Sequence, residues 1–224
     1  MTNPKYTHAP PTGGHIKSRL ENGKNHPVLS VWNNMKRRCR IDSKFVSYRD
    51  TKVCKDWQSF SEFANWYIDY RSIYDESYWE DLQIDKDIIG DGSIYSPEAC
   101  ILVPSALNKF FARINGVKGY HIDSRYGNIS ICPCGFGKRV EEFGFGSTLD
   151  AVIRHWELKI FIFKEEVESG RLDCVPKYII DKSSNKLRIE ANKAIALAEV
   201  DNQIVVKRRD RKSKRHNTKI GDIV

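Results

Sequence analysis

The sequence predicts an α+β protein of two small domains, and three observations carry that prediction. An apolar stretch interrupted by charge, Leu82 to Ile89, is followed by Gly90-Asp91-Gly92, by a short apolar return at Ile101-Leu102-Val103, and by the start of a helix near Ser105. This is a strand, turn, strand, helix order, or ββα. Farther on, Gly119–Asp123, Asn128–Cys132 and Arg139–Phe143 are separated by turn residues and predict a three-stranded antiparallel meander. A long amphipathic helix from Ser147 follows, and one sheet packed on one helix can close a core in about 60–70 residues.

Upstream of the ββα stretch the chain reads as an arm, two helices and a loop. Residues 1–25 are polar and Pro/Gly-rich, lack periodicity and read as a flexible arm. From Pro27, the residues Val28, Val31, Trp32, Met35 and Cys39 recur at helical spacing, and Lys36, Arg37, Arg38 and Arg40 crowd the end of that helix. Cations at a helix C-terminus complement its dipole, and the same cluster can contact phosphates. A second helix starts near Trp57, with Ser59 and Glu62 spaced as a capping box and Trp57, Phe60, Phe63, Ala64 and Tyr67 as its core-facing side. Tyr70 to Asp81 is acidic and aromatic and reads as a loop.

A hinge at Asn115-Gly116 separates the two domains, which are placed at 26–114 and 115–182. In the second, Ser147 and Asp150 form a capping-box-like start, and Leu149, Val152, Ile153, Trp156, Ile160, Phe163 and Val167 form the apolar stripe of the long helix. Residues 183–224 read as a short helix, Leu187 to Ala198, and a disordered basic tail.

Composition limits the partners. The chain of 224 residues is 40% hydrophobic and 29% charged. No apolar run approaches the ~18 residues of a membrane helix, and the first residues lack a signal-peptide core. The expectation is a cytoplasmic protein with no membrane partner and no evident small-molecule cofactor. The formal charge is +8, and residues 207–219 hold eight Lys/Arg against one Asp, among them Lys207, Arg208, Arg209, Arg211 and Lys212. Such a run suits nucleic acid phosphates, double-stranded DNA above all. The six cysteines include one close pair, Cys132 and Cys134, with no second pair at zinc-finger spacing. They read as thiols, with structural Zn2+ the lesser reading.

The chemistry centres on Asp85, Lys86 and Asp87. A ββα unit with an Asp on its first strand and an Asn on its helix can hold one divalent cation over a phosphodiester, because Mg2+ keeps several waters and needs few protein ligands. Asp85 can ligate, Asp87 is a second ligand or a partner for Lys86, and Asn108 can ligate or position the phosphate. The alternative is a strand Asp–Lys pair facing solvent and an Asn that caps a helix. His26 and His121 are candidate bases by residue type alone.

Three ordered blocks, "HPVLSVWNNMKRRC" (26–39), "VCKDWQSFSEFANWY" (53–67) and "LQIDKDIIGDGSIYSPEACILVPSALNKFF" (82–111), resemble the phage-type HNH homing endonucleases. The downstream "GVKGYHIDSRYGNISICP" and "EEFGFGSTLDAVIRHWELK" look like the ethylene-response-factor type of DNA-binding domain. The resemblance implies an N-terminal ββα-metal domain, metal-dependent DNA hydrolysis with Mg2+ or another divalent cation in a bacterial host cell, Asp85 at the metal-ligand position, and Asn108 at the late Asn/His position. Arg125, Lys138 and Arg139 are the basic residues in or beside the DNA-reading strands. Two residues depart from the pattern: Lys86 stands where a general-base histidine is usual, and Ala99 where an Asn is usual. A lysine titrates near ~10.4 and must lose a proton before it can act as a base, so Lys86 is assigned instead to phosphate charge. A catalytically inactive descendant that binds DNA is the alternative.

Overall fold

The computed structural model describes residues 14–112, 114 and 118–220, the last of these from 202 onward as backbone only. The protein is α+β and divides into two compact units, Met1–Ala112 with Asp173–Ser183, and Arg113–Leu172 with Ser184–Val224. The expected hinge at 115–116 and most of the arm lie outside the described residues. Residues 14–25 depart from the expected disorder: the Leu20 N–H donates to the Lys24 carbonyl, Arg19 and Asn25 pair as a β-bridge, and the Ile16 N–H donates to Ser61 Oγ at 2.9 Å.

The first unit opens with α1 (Leu29–Arg38), then β1 (Lys52–Val53) and α2 (Phe60–Arg71). Val28 and Met35 of the α1 segment are buried, as the spacing required. Ser59 takes the N-cap position of α2, but its side chain makes no capping bond, so the expected capping box is absent. Trp57, just before α2, and Phe63, Trp66, Tyr67 and Tyr70 of α2 are buried in the core, with ring centroids 4.6 Å apart for Trp57 and Trp66.

The charged stretch forms β2 (Leu82–Asp85), then a loop, β3 (Ile94–Tyr95), β4 (Ile101–Pro104) and α3 (Ser105–Ala112). β2 and β4 pair antiparallel from Leu82↔Pro104 to Asp85↔Ile101, and α3 packs on both. The first strand therefore ends at Asp85, four residues before the expected Ile89, because Asp85 turns the chain. Its Oδ1 accepts the N–H groups of Asp87 (2.9 Å) and Ile88 (2.7 Å), an Asx turn that replaces ladder bonds. A long loop thus takes the place of the expected tight hairpin. β3 is tied in parallel to β1, with the Lys52 N–H on the Ser93 carbonyl and the Cys54 N–H on the Tyr95 carbonyl.

The second unit contains β5 (His121–Ile122), β6 (Ile129–Ile131), β7 (Cys134–Gly135), β8 (Lys138–Arg139), β9 (Glu142–Phe143) and α4 (Thr148–Glu168). β5, β6 and β9 form the expected antiparallel sheet, and α4 packs on β6. The third strand starts at Glu142, however, and Lys138 and Arg139 belong to a separate β7–β8 ribbon. Its turn, Phe136-Gly137, has φ of 50° and 79°, the two positive angles a type I′ hairpin requires. Ser147 caps α4 as expected, its Oγ accepting the Asp150 N–H at 3.0 Å and donating to Asp150 Oδ2 at 2.7 Å.

The buried face of α4 is Ala151, Val152, His155, Trp156, Lys159, Ile162, Phe163 and Glu166, rotated from the purely apolar stripe, with Ile153 partly in water. Polar residues occupy core positions because their charges are answered: Lys159 Nζ donates to the Cys134 carbonyl at 2.6 Å, and Arg171 pairs with Glu166. Burial and the Lys159 charge press His155 down to about 4, so it is neutral in the core. The last helix, α5 (Lys177–Ile220), begins before the expected Leu187 and continues through the region expected to be a disordered tail.

Candidate functional site

Asp85 and Lys86 are 4% and 6% exposed, so the charges inside the apolar run do not face water. Burial is the main force on Asp85 and raises its carboxyl to about 6, opposed by the two backbone N–H donors and raised further by Asp87. Its Oδ2 makes no hydrogen bond among the described residues. Lys86 lies between two rings, its Nζ 5.0 Å from the centroid of Tyr48 and 5.8 Å from that of Tyr95, and it donates to Asp87 Oδ1 at 2.9 Å. Asp87 keeps about a quarter of its side chain in solvent, so the pair sits at the rim of the site.

The basic end of α1 arrives at the same place. The Arg38 guanidinium lies 5.7 Å from the centroid of the Tyr48 ring that also carries Lys86, so two cations share one aromatic ring. Its basic neighbours along the chain have other roles. Lys36 stacks on Trp32 at 4.3 Å, Arg37 donates to Asn34, and Arg40 holds Asp42 through two bonds of 3.0 Å. Asn108 sits on α3 and donates to Gln83 Oε1 at 2.7 Å. Gln83 and Asp85 alternate with Ile84 along β2 and so share a face, which puts the Asn108 amide on the Asp85 side of the strand.

Oxygen donors of this kind suit a hard cation. Asp85 Oδ2 and Asn108 Oδ1 fit such a role, whereas the Asp87 carboxylate is engaged by Lys86. Among the described residues no group of three His, Cys, Asp or Glu side chains is arranged to hold a metal ion. Cys132 contacts Glu141, and none of the six cysteines is in a disulfide. No protein-family model, curated protein or solved structure matches the chain. No described helix is long and apolar enough to cross a membrane.

The remaining residues singled out from sequence are scattered. His26 accepts the Val28 N–H on Nδ1, a cap role, and His121 is exposed on β5. Lys138 pairs with Glu165 at 2.9 Å and Arg139 with Glu141, so both cations are already partnered. Arg125 lies in the β5–β6 turn, where its N–H donates to Asp123 Oδ1. The side chains of Lys207, Arg208, Arg209, Arg211 and Lys212 are outside the described residues. The sequence reading missed Tyr48 and Tyr95, the rings that hold Lys86. Tyr95 lies within the third block, 82–111, but Tyr48 carries no periodicity or spacing that would single it out.

Proposed function

We propose that this chain is a DNA-binding, HNH-like endonuclease or nicking enzyme that hydrolyses phosphodiesters with a divalent cation. The observation that carries the reading is the buried pair Asp85 and Lys86 at the end of β2 in the β2–β4–α3 arrangement, with Arg38 sharing the Tyr48 ring with Lys86. It gathers a desolvated carboxylate and two cations where a phosphate could dock. The sequence resemblance to the phage-type HNH enzymes supports the same reading independently of that geometry.

Asp85 and Asn108 would hold the cation, which when bound supplies Lewis-acid stabilisation of phosphate charge. Arg38 contributes a guanidinium suited to phosphate oxygens. Lys86 exchanges Asp87 for phosphate as the substrate enters, and the tyrosine rings keep its ammonium in place meanwhile. The Asp85 turn sets the start of the 86–100 loop, so one residue both offers an oxygen and orients Lys86.

The test is incubation of supercoiled plasmid with Mg2+, Mn2+ or EDTA, beside Asp85→Ala. Metal-dependent nicking or linearisation that disappears in the variant is expected; cleavage that survives it removes Asp85 from the site. A second reading, an inactive descendant that binds DNA, is favoured by one observation: Lys86 stands at the histidine position with its amine already tied to Asp87. Binding without cleavage under every metal would select it.

Either reading places duplex affinity in the basic segment 207–219. Deleting it is expected to flatten the log–log dependence of DNA affinity on salt by several units, at roughly 0.9 per lost phosphate contact. A fluorescence-anisotropy series in salt measures this, and an unchanged slope would assign the electrostatics to the rest of the chain.

A further inference from the structure

We infer that the solvent face of the β5–β6–β9 sheet binds unpaired nucleotides by stacking their bases on its aromatic side chains. The register places His121 opposite Ser130 and Ser130 opposite Phe143, so these three residues form one row across the sheet. Ile131 of β6, one residue from Ser130, is buried toward α4, and alternation along the strand turns the row away from the helix. Phe143 is 72% exposed there, and Tyr126, at the tip of the β5–β6 hairpin, is 76% exposed. Two large rings left in water on one small sheet, with only a serine between His121 and Phe143, make a shallow platform and not a core.

The charge around the platform selects the occupant. Glu141, Glu142 and Glu165 are each held by a cation, Arg139, Arg154 and Lys138 respectively. Asp123 accepts the N–H groups of Arg125 and Tyr126 and has no ion pair among the described residues. Arg125 and Lys118 are exposed and carry no ion pair among the described residues, so along β5 and its turn two exposed cations stand against the one carboxylate of Asp123 and the balance is positive. Flat apolar rings with nearby cations match a single strand, whose bases are free to stack and whose phosphates need a counter-charge. Reading a duplex through its major groove would instead need donors such as arginine along the row, and His121, Ser130 and Phe143 supply no such set.

This inference concerns the second unit and stands apart from hydrolysis at Asp85, so it is tested without cleavage. Full-length protein in EDTA is titrated into a fluorescein-labelled mixed-sequence 20-mer, single-stranded and as its duplex. Phe143→Ala is expected to weaken single-strand binding about 5- to 150-fold, the loss of one stacked base, while duplex affinity stays within about 2-fold. Phe143→Trp should restore single-strand binding. The salt slope should be the same in wild type and Phe143→Ala, because a stacking contact releases no counterions. Unchanged single-strand affinity in Phe143→Ala overturns the inference, as does an equal loss on both probes. Loss of self-association in Phe143→Ala, seen by sedimentation with DNA affinity intact, also overturns it and makes the face a contact between copies.

Discussion

Asp85→Asn is expected to make the protein more stable at pH 7–8 and to abolish the proposed metal-dependent cleavage at the same time. The carboxyl is raised from its ordinary 3.8 to about 6, with desolvation the leading cause. In the folded state it therefore holds its proton more tightly than in the unfolded chain. The stability this provides is complete below about pH 4 and is lost as the pH rises through about 6, the reverse of a salt-bridged carboxylate. A displacement of about 2 pH units corresponds to ~3 kcal/mol, carried as a cost at neutral pH. Asparagine keeps an oxygen to accept the Asp87 and Ile88 N–H groups, so the turn survives while the charge does not.

Urea denaturation in EDTA from pH 4 to 8 measures the effect. Wild type should lose stability across that range relative to Asp85→Asn, with the two meeting near pH 4. A variant less stable than wild type at pH 8 would mean that the charge of Asp85 supports the fold. A buried side chain that costs stability where it sits is the pattern expected of a functional group and not of a structural one.

Gly92→Ala is expected to cost about 3–5 kcal/mol, the range for leaving a buried charge without its partner. Gly92 has φ of +84°, and a Cβ there would lie 2.5 Å from Asp87 Oδ1 and 3.4 Å from Lys86 Nζ. Asp87 can swing away, so the collision itself is relieved cheaply. That movement, however, removes the anion from a buried ammonium. Gly127→Ala is the control: its φ is +69°, its added Cβ meets nothing within 4 Å, and it should lose only the ~1–2 kcal/mol of left-handed backbone strain. Equal shifts of the urea midpoint in the two variants would show that Lys86 does not depend on Asp87. Gly92→Ala should also impair cleavage, since the freed loop no longer presents Lys86 beside Asp85.

Much of this architecture is local in origin and was legible. The 3.6-residue spacing of Val28 and Met35, the capping pair Ser147 and Asp150, the strand–return–helix order around Asp85, and the three-segment sheet all arise from neighbours a few residues apart. Backbone sterics and side-chain periodicity act at that range. The role of Asp85 was only half visible. Its position on a strand before a turn could be read, but its burial could not, because the apolar neighbours along the chain are the same whether or not β4 and α3 cover them.

The sequence by itself determined the α+β class, the strand–return–helix order around Asp85, and the concentration of positive charge in 207–219. Tertiary structure alone decided that Arg38 and Lys86 meet on Tyr48, that Glu165 neutralises Lys138 from 27 residues away, and that His155, Lys159 and Glu166 belong to a helix face that an apolar stripe would exclude. Pairings of this kind depend on which elements the topology brings together. An isolated cation looks the same in sequence whether it meets a phosphate, a ring or a carboxylate, and only the packed neighbours distinguish them.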